Sequence, residues 1–404
     1  MKILILNRDS PNNRGDRAIL AGNIELLKSA YPDAHITSLS QFKERDEEWF
    51  GISFLKLSPY SIKPNDYLKL LAEARKSDII FWGGGEILKD YTNKISLFYW
   101  ALKLFGVRLV NKNIIGAFQG IGPTKAEISK KVIAFAVSQC RAFLTRDEES
   151  KAKLEAWGVK IPIISSYDPA IFEQAKPISA QALKNFSETQ GISVEVLNNF
   201  IGFGVRRWFH YRASSWLPAS LKPWQKATSE NSDELNLYIG NLAQIADNLI
   251  EKHDANIVFF PMHVSASEND QGFATEVISR MRHADRAYLI SKDNLAPVDM
   301  VSVLSMARAF MASRLHSAIL ASVANVPAYC LYYVDKGRIF FEQMGLSKHS
   351  ASINTILDDG AVETLTEQIN FLIANSANVK AEMNTRLGQM RDEIELDLQR
   401  AVNG

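Results

Sequence analysis

The chain has 404 residues, 47% hydrophobic and 23% charged, the composition of an ordinary folded protein. That length exceeds one comfortable core, so two domains are expected. With 46 basic and 45 acidic residues the net charge is +1, which excludes a nucleic-acid footprint spread over the surface, so any anion must be bound locally.

The first apolar run, Met1 to Leu6, ends at Asn7-Arg8-Asp9, too early for a secretory signal, and no later run approaches the roughly 20 apolar residues of a membrane span. The expectation is a cytoplasmic protein. Cys140 and Cys330 have no metal-like spacing and sit in apolar runs, so both read as buried thiols.

Lys2 to Leu6 reads as a strand, followed by Asn12-Asn13-Arg14-Gly15-Asp16 and a helical stretch from Ala18 to Ala30. Asp16 is suited to be the N-cap, with catalysis as its competing use. Asp78 to Trp82 is the next strand, and Gly83-Gly84-Gly85-Glu86 follows it. Three missing side chains let backbone approach a ligand or another chain segment closely. A helix starting there would put Glu86 and Asp90 on one face, either able to take a proton from a sugar hydroxyl or to serve as a first-turn acid. Asn113 to Phe118 precedes Gln119-Gly120-Ile121-Gly122-Pro123, a turn whose Gln119 could contact a ligand. Ala142 to Thr145 precedes Arg146-Asp147, read as an ion pair or cap, and Ile161 to Ser165 precedes Tyr167-Asp168. Strands alternating with helices imply a parallel sheet covered on both faces.

Residues 172–200 are polar and lack a strong strand. The expected organisation is an α/β domain over 1–172, a hinge over 173–200, a second α/β domain over 201–346 and C-terminal helices over 347–404. In the second half, Ile201 to Val205 ends in Arg206-Arg207, Asn256 to Phe260 leads to Pro261-Met262-His263, and Ala287 to Ile290 leads to Ser291-Lys292-Asp293. Ala312-Ser313-Arg314-Leu315-His316-Ser317 stands at a further strand-to-helix junction, where an anion is the natural guest. The backbone is read as extended through His316, so that Arg314 and His316 share a side. Taken alone, Arg314 would anchor a neighbouring carboxylate and His316 would be a core histidine. As parallel strands of one sheet, these runs put Arg206, His263, Arg314 and His316 on one rim.

Between Arg206 and Lys226 cations alternate with Trp208, Phe209, Tyr211, Trp216 and Trp224, which suits sugar stacking, a membrane headgroup region or simple packing on the surface. His263 to Asp270 lacks an HExxH-like spacing, and no metal is expected. In the tail, Val379, Met383, Leu387, Met390, Ile394 and Leu398 form one apolar stripe. Packing back onto the body is the expectation, with a dimerising coiled coil as the alternative.

In their order along the chain, Asn13-Arg14-Gly15-Asp16, Gly83-Gly84-Gly85-Glu86, Gln119-Gly120-Ile121-Gly122-Pro123, Arg146-Asp147 with Ser150, Asp168, Arg206, Ser313-Arg314-Leu315-His316 and Lys336 with Gly345-Leu346 resemble the polysaccharide pyruvyl transferase family, from Met1 to about Leu346. Arg17 stands where that pattern commonly has an acid, and Glu86 where it often has a fourth glycine. The resemblance implies a GT-B-like fold, two Rossmann-like domains facing a cleft. It also implies transfer of the enolpyruvyl unit of phosphoenolpyruvate onto two hydroxyls of one sugar, giving a ketal and free phosphate.

On that resemblance Arg206, Arg314 and His316 hold phosphoenolpyruvate, a co-substrate, with no cofactor needed. His263 and Lys336 would be further contacts, and Gly84, Gly85 and Gln119 would belong to the acceptor side. His316 would donate the proton or stabilise departing phosphate, and Asp16 or Glu86 would act as base. The acceptor would be a sugar of a cell-surface polysaccharide or exopolysaccharide, or its lipid-linked precursor, with a peripheral contact at the inner membrane face and a homo-oligomer both compatible. Two rival readings are a glycosyltransferase using a nucleotide sugar and a non-catalytic scaffold in polysaccharide assembly.

Overall fold

The computed structural model describes residues 1–7, 12–90, 94–207, 232–264, 268–292 and 295–404. The first unit runs β1 (Lys2–Leu6), α1 (Arg14–Ala30), β2 (His35–Ser40), α2 (Lys43–Phe50), β3 (Ser53–Lys56), α3 (Pro64–Lys76), β4 (Ile79–Trp82), β5 (Gly85–Leu88), α4 (Lys94–Val110), β6 (Ile114–Ile121), α5 (Glu127–Val137), β7 (Ala142–Thr145), α6 (Glu148–Ala156) and β8 (Ile163–Ser165). A 3₁₀ turn at Pro169–Phe172, α7 (Ala180–Gln190) and α8 (Val194–Leu197) lead into the second unit.

That unit runs β9 (Phe200–Gly204), α9 (Ser232–His253), β10 (Asn256–Phe259), α10 (Asp270–Ile278), β11 (Ala287–Leu289), α11 (Pro297–Leu304), β12 (Phe310–Ala312), α12 (Leu315–Val323), β13 (Ala328–Tyr332), α13 (Asp335–Gln343) and β14 (Ser350–Ser352). The chain closes with α14 (Ala361–Ala374) and α15 (Ser376–Asn403).

All strand pairings among the described residues are parallel. The first sheet has the order β3-β2-β1-β4-β6-β7-β8 with β5 beside β6, and the second the order β11-β10-β9-β12-β13-β14. Helices cover both faces, which is why β1, β4 and β6 are almost continuously apolar and buried.

In each sheet the strand order reverses once, between β1 and β4 in the first and between β9 and β12 in the second. Crossovers on either side of such a point leave opposite faces, so a crevice opens at the carboxyl ends of the two strands.

Several elements differ from the sequence expectation. β2, β3 and β5 are additional strands, short and built partly from Ser, Thr and Gly, which carry a weak pattern on their own. The second sheet runs past residue 346 to include β14, whose Ser-Ala-Ser sequence has no β-branched or aromatic residue. Gln119 lies inside β6 rather than in a turn. The helix expected at Glu86 is β5, because backbone at Gly83, Gly84 and Gly85 has φ of 110°, 110° and 77°, outside the helical basin. Asp90 instead accepts from the backbone N–H groups of Lys125 (3.2 Å) and Ala126 (2.9 Å), anchoring the chain just before α5.

The apolar stripe of α15 packs back onto the body. Its six residues from Val379 to Leu398 are all buried, and the helix crosses to the first unit, where Arg141 donates to the Ala401 carbonyl (3.0 Å) and Arg391 to the Ile171 carbonyl (2.8 Å). Cys140 and Cys330 are buried free thiols, and burial pushes the Cys330 thiol up to about 12. Among the described residues no helix is long and apolar enough to cross a membrane.

Candidate functional site

The carboxyl ends at the second reversal point carry Arg206, just after β9, and Arg314, just after β12. Both guanidiniums reach the same oxygen, Oε2 of Glu268, at 3.7 Å and 2.7 Å. Arg314 also makes a two-pronged contact with Asp270, its Nε and Nη2 each 2.7 Å from a carboxylate oxygen. Asp270 is fully buried and accepts from the backbone N–H groups of Met262 (3.2 Å) and His263 (2.9 Å). A buried carboxylate with this many donors holds the guanidinium plane in one orientation. Arg207, by contrast, turns to Glu276 at the surface, so Arg206 is the arginine of the tandem that faces the crevice.

The junction at Arg314 is not extended through His316. Arg314 is the N-cap residue, with φ −120° and ψ 137°, and α12 begins at Leu315. The Ser317 hydroxyl and the Ala318 N–H both close onto the Arg314 carbonyl, so the helix starts as soon as the strand ends. Arg314 and His316 therefore diverge. Arg314 stays with Asp270 and Glu268, while His316 turns to the first unit and places Nε2 3.5 Å from Asp168 Oδ2.

Asp168 is 4% exposed and also lies 3.3 Å from Arg146 Nη1. Burial alone would raise its carboxyl, but His316 and Arg146 outweigh it and hold it down to about 2. The same Arg146 reaches Glu86 Oε2 at 3.3 Å, and Lys336 approaches that oxygen at 3.7 Å. A chain of ion-paired groups thus runs Asp168, Arg146, Glu86, Lys336, with the His316 ring against Asp168 at one end, passing between the two units.

Glu86, Arg146 and Lys336 line an interdomain cavity of about 340 Å³ with Gly120, Gly122 and Tyr333. Its walls do not include Arg206, Arg314 or His316, although Tyr333 joins the two places. The Arg206 guanidinium stacks on the Tyr333 ring at 4.2 Å from the centroid, and the Lys336 ammonium lies 5.9 Å away. Burial would raise the Tyr333 hydroxyl, but Arg206, Lys336 and Arg314 together bring it below its ordinary value.

The first unit meets this rim with the start of α1. Asn13, not Asp16, is the N-cap, its Oδ1 accepting from the N–H groups of Gly15 (2.9 Å) and Asp16 (3.3 Å). Asn13 is three residues closer to the strand exit and has the extended backbone that a cap needs. It forms an antiparallel bridge with His263, and Arg14 spans the interface to the carbonyls of Pro261 (2.8 Å) and Lys292 (3.0 Å). His263 is therefore an interface residue, and burial pulls its imidazole below the usual value.

Gly84 and Gly85 lie under α1, where added Cβ atoms would fall 2.6 Å and 3.2 Å from Ile19, with Gly85 also 3.8 Å from Asp16 Oδ1. Gln119 is fully buried and donates to the Trp82 carbonyl (3.1 Å), filling the space beside Gly83. Arg17 turns away from the cleft to a buried ion pair with Asp46 (2.7 Å), against Trp49 and Phe50.

The structure adds Asp168, Tyr333, Glu268 and Asp270 to the candidate site, residues to which the sequence by itself assigns no role. Tyr333 was within reach of the rule used for Arg206 and Arg314, since it follows a strand of the second sheet. Asp168 follows β8 and was within reach of the same rule, although its partners Arg146 and His316 were not; Glu268 follows no strand directly, and its partners are distant along the chain. Arg206–Lys226 lies outside the described residues from position 208 onward.

Two parallel α/β units, a helix returning from the second to the first, and a charged crevice at the strand ends define a protein of GT-B-like fold. Solved structures similar along the chain include Anabaena Alr3699/HepE in complex with UDP-glucose (TM-score 0.57, 13% identity, 99% of this chain and 100% of that one). Others are E. coli ADP-heptose lps heptosyltransferase II (0.52, 15%, 93% and 100%) and the UDP-GlcNAc 2-epimerase of Methanocaldococcus jannaschii (0.56, 11%, 91% and 92%). At these identities the likeness is one of fold.

The chain belongs to the polysaccharide pyruvyl transferase family, whose sequence pattern matches residues 13–335. It is similar also to the amylovoran biosynthesis protein AmsJ of Erwinia amylovora, 19% identical over 432 residues that cover 97% of this chain and 96% of that protein. The family places it among the transferases of polysaccharide modification.

Proposed function

We propose that the protein transfers the enolpyruvyl unit of phosphoenolpyruvate onto two hydroxyls of one saccharide, forming a cyclic pyruvate ketal and releasing phosphate. The observation that carries this reading is the convergence of Arg206 and Arg314 on one carboxylate oxygen, Glu268 Oε2, at 3.7 Å and 2.7 Å. That oxygen marks a position between two guanidiniums where a carboxylate or phosphate of the donor would sit.

Ketal formation begins with bonding of a sugar hydroxyl oxygen to C2 of the donor while C3 accepts a proton and becomes a methyl group. The C2–O bond to phosphate then breaks, and the second hydroxyl adds to C2. The diol gives up two protons in all; one ends on C3 and the other leaves with phosphate or solvent. His316 is the proton donor in this scheme, to C3 or to the departing phosphate, with Asp168 fixing its ring. Asp168 itself stays ionised, so it serves as a positioning residue.

The base in the scheme is Asp16, beside Gly85 at the start of α1, or Glu86, which lies against Arg146, Lys89 and Lys336. In the scheme the first unit takes the acceptor, and Lys336 and Tyr333 form the wall between acceptor and donor.

The test is phosphate release from phosphoenolpyruvate across nucleotide-, lipid- and polymer-linked sugars. His316→Gln should abolish it while the protein stays folded; release at the normal rate would remove the histidine from the scheme. A rise in melting temperature with uridine or guanosine diphosphate, and none with phosphoenolpyruvate, would favour glycosyl transfer.

A further inference from the structure

A helix packed on a sheet ordinarily shows polar residues to water, but α4 does not. Its exposed positions are Ile95, Phe98, Leu102, Phe105, Leu109 and Val110, every one apolar. Its inner face is apolar as well, with Leu97, Trp100, Leu104 and Val107 buried. Lys103 does not relieve this, because its ammonium is turned inward to the Pro59 carbonyl and the Tyr99 hydroxyl (2.8 Å). Burial brings Lys103 down to about 8.

The neighbouring α5 extends the surface. Phe135 lies 6.1 Å from Phe105 between ring centroids, and Ile128 and Phe135 are 49% and 46% exposed. An apolar surface this continuous is unusual on a protein that has no use for it.

The charge around the surface is one-sided. From Lys94 to Val137, leaving out the inward-turned Lys103, the sequence holds six basic residues and a single acid, Glu127, in a chain whose total is +1. Lys112, Lys125 and Lys131 are exposed around the apolar face. Apolar side chains ringed by lysines match a bilayer surface bearing anionic lipids. A second copy of this chain fits less well, since a two-fold contact would bring the same lysines toward one another.

We propose that the α4/α5 face docks on an anionic membrane surface, inserting the α4 side chains into the headgroup boundary without spanning the bilayer. The orientation follows from the topology. Both helices return antiparallel to the strands, so their first residues lie at the carboxyl edge, and Pro123, just before α5, lines the interdomain cavity. The cavity then opens beside the membrane, where a saccharide carried on a lipid would be presented. This last statement rests on the pyruvyl-transfer reading; the docking itself does not.

The experiment is flotation of the full chain with vesicles of mixed phosphatidylglycerol and phosphatidylethanolamine, and with phosphatidylcholine vesicles. Binding to the anionic vesicles that falls with salt, with little on the neutral ones, is expected. The double variant Leu102→Gln/Phe105→Gln should lose roughly tenfold or more of that binding. Both side chains are exposed, at 69% and 44%, so the melting temperature should hold. Lys125→Glu/Lys131→Glu should lose binding through charge alone, which keeps the test open if the first variant folds poorly. Absence of wild-type flotation, unchanged flotation of both variants, or a dimer in ultracentrifugation that the first variant dissolves would overturn docking. None of these results depends on turnover, so failure of docking and failure of pyruvyl transfer are told apart.

Discussion

Gly15, in the first turn of α1, presses against the imidazole of His316, at the start of α12. A Cβ at position 15 would stand 2.7 Å from His316 Nδ1 and 2.9 Å from its Cγ. The two helix starts therefore meet at the interface, and the glycine leaves room for the ring. Gly15→Ala should improve local helix propensity by roughly 0.5–1 kcal/mol while pushing the imidazole aside. The expected result is a melting temperature close to normal and a fall in kcat of roughly 10- to 100-fold, read by phosphate release. Full activity would mean that the position of His316 does not matter.

Asp168→Asn keeps the shape of the side chain but removes the charge facing His316 and Arg146. We expect roughly a 10²-fold loss of kcat with the KM for phosphoenolpyruvate little changed, because the arginines proposed to hold the donor are untouched. There is also a pH signature. The Asp168 carboxyl is held at about 2 in the folded state, below its unfolded value, so its stabilisation is complete above about pH 4 and is lost as pH falls toward 2. Urea unfolding should show a constant gap between wild type and variant from neutral pH to about pH 5, closing below that. A gap that persists at low pH would contradict the assignment.

Glu268→Gln removes the charge that Arg206 and Arg314 share. If the donor's anionic group takes that place, the neutral variant should bind phosphoenolpyruvate more tightly, by roughly threefold to tenfold in calorimetry. Weaker binding would mean that Glu268 positions the arginines instead. Arg314→Ala should act on stability as well as affinity, because it leaves buried Asp270 without its counter-ion, a loss of about 3 kcal/mol seen as a lower urea midpoint.

Glu173, at the end of the 3₁₀ turn before α7, is 5% exposed and lies near Glu25. Burial first, and Glu25 second, push its carboxyl up to about 8. The folded protein therefore keeps a proton that the unfolded chain releases above about pH 4, and stability falls as pH rises toward 8. Glu173→Gln should remove that slope. Its melting temperature should exceed that of wild type by several degrees at pH 8 and match it at pH 5, as thermal unfolding at both values would show.

Much of this molecule was legible before folding. β1 and β7 coincide with the runs read from the sequence, and β6, β8, β9 and β10 differ by a few residues at their ends. Apolar runs bounded by Gly or Asx report burial directly, since a parallel strand covered on both faces cannot alternate. The stripe from Val379 to Leu398 showed which face of α15 would be buried. The errors were local decisions that the neighbourhood made. Asn13 took the cap from Asp16, and β5 replaced a helix at Glu86 because it pairs with β6. The helix at Leu315 began sooner than expected because the Arg314 carbonyl was already engaged.

By itself, then, the sequence determined the alternation of strands and helices, the two-unit organisation of the fold and the arginines that follow β9 and β12. Those depend on periodicity and on residues close together along the chain. Only the tertiary structure decided which charges meet: Arg206 with Arg314 at Glu268, His316 with Asp168, and Glu86 with Arg146 and Lys336. Sheet order and the docking of α1 against α12 set these encounters, and neither leaves a periodic trace, because each partner was placed by a different strand or helix.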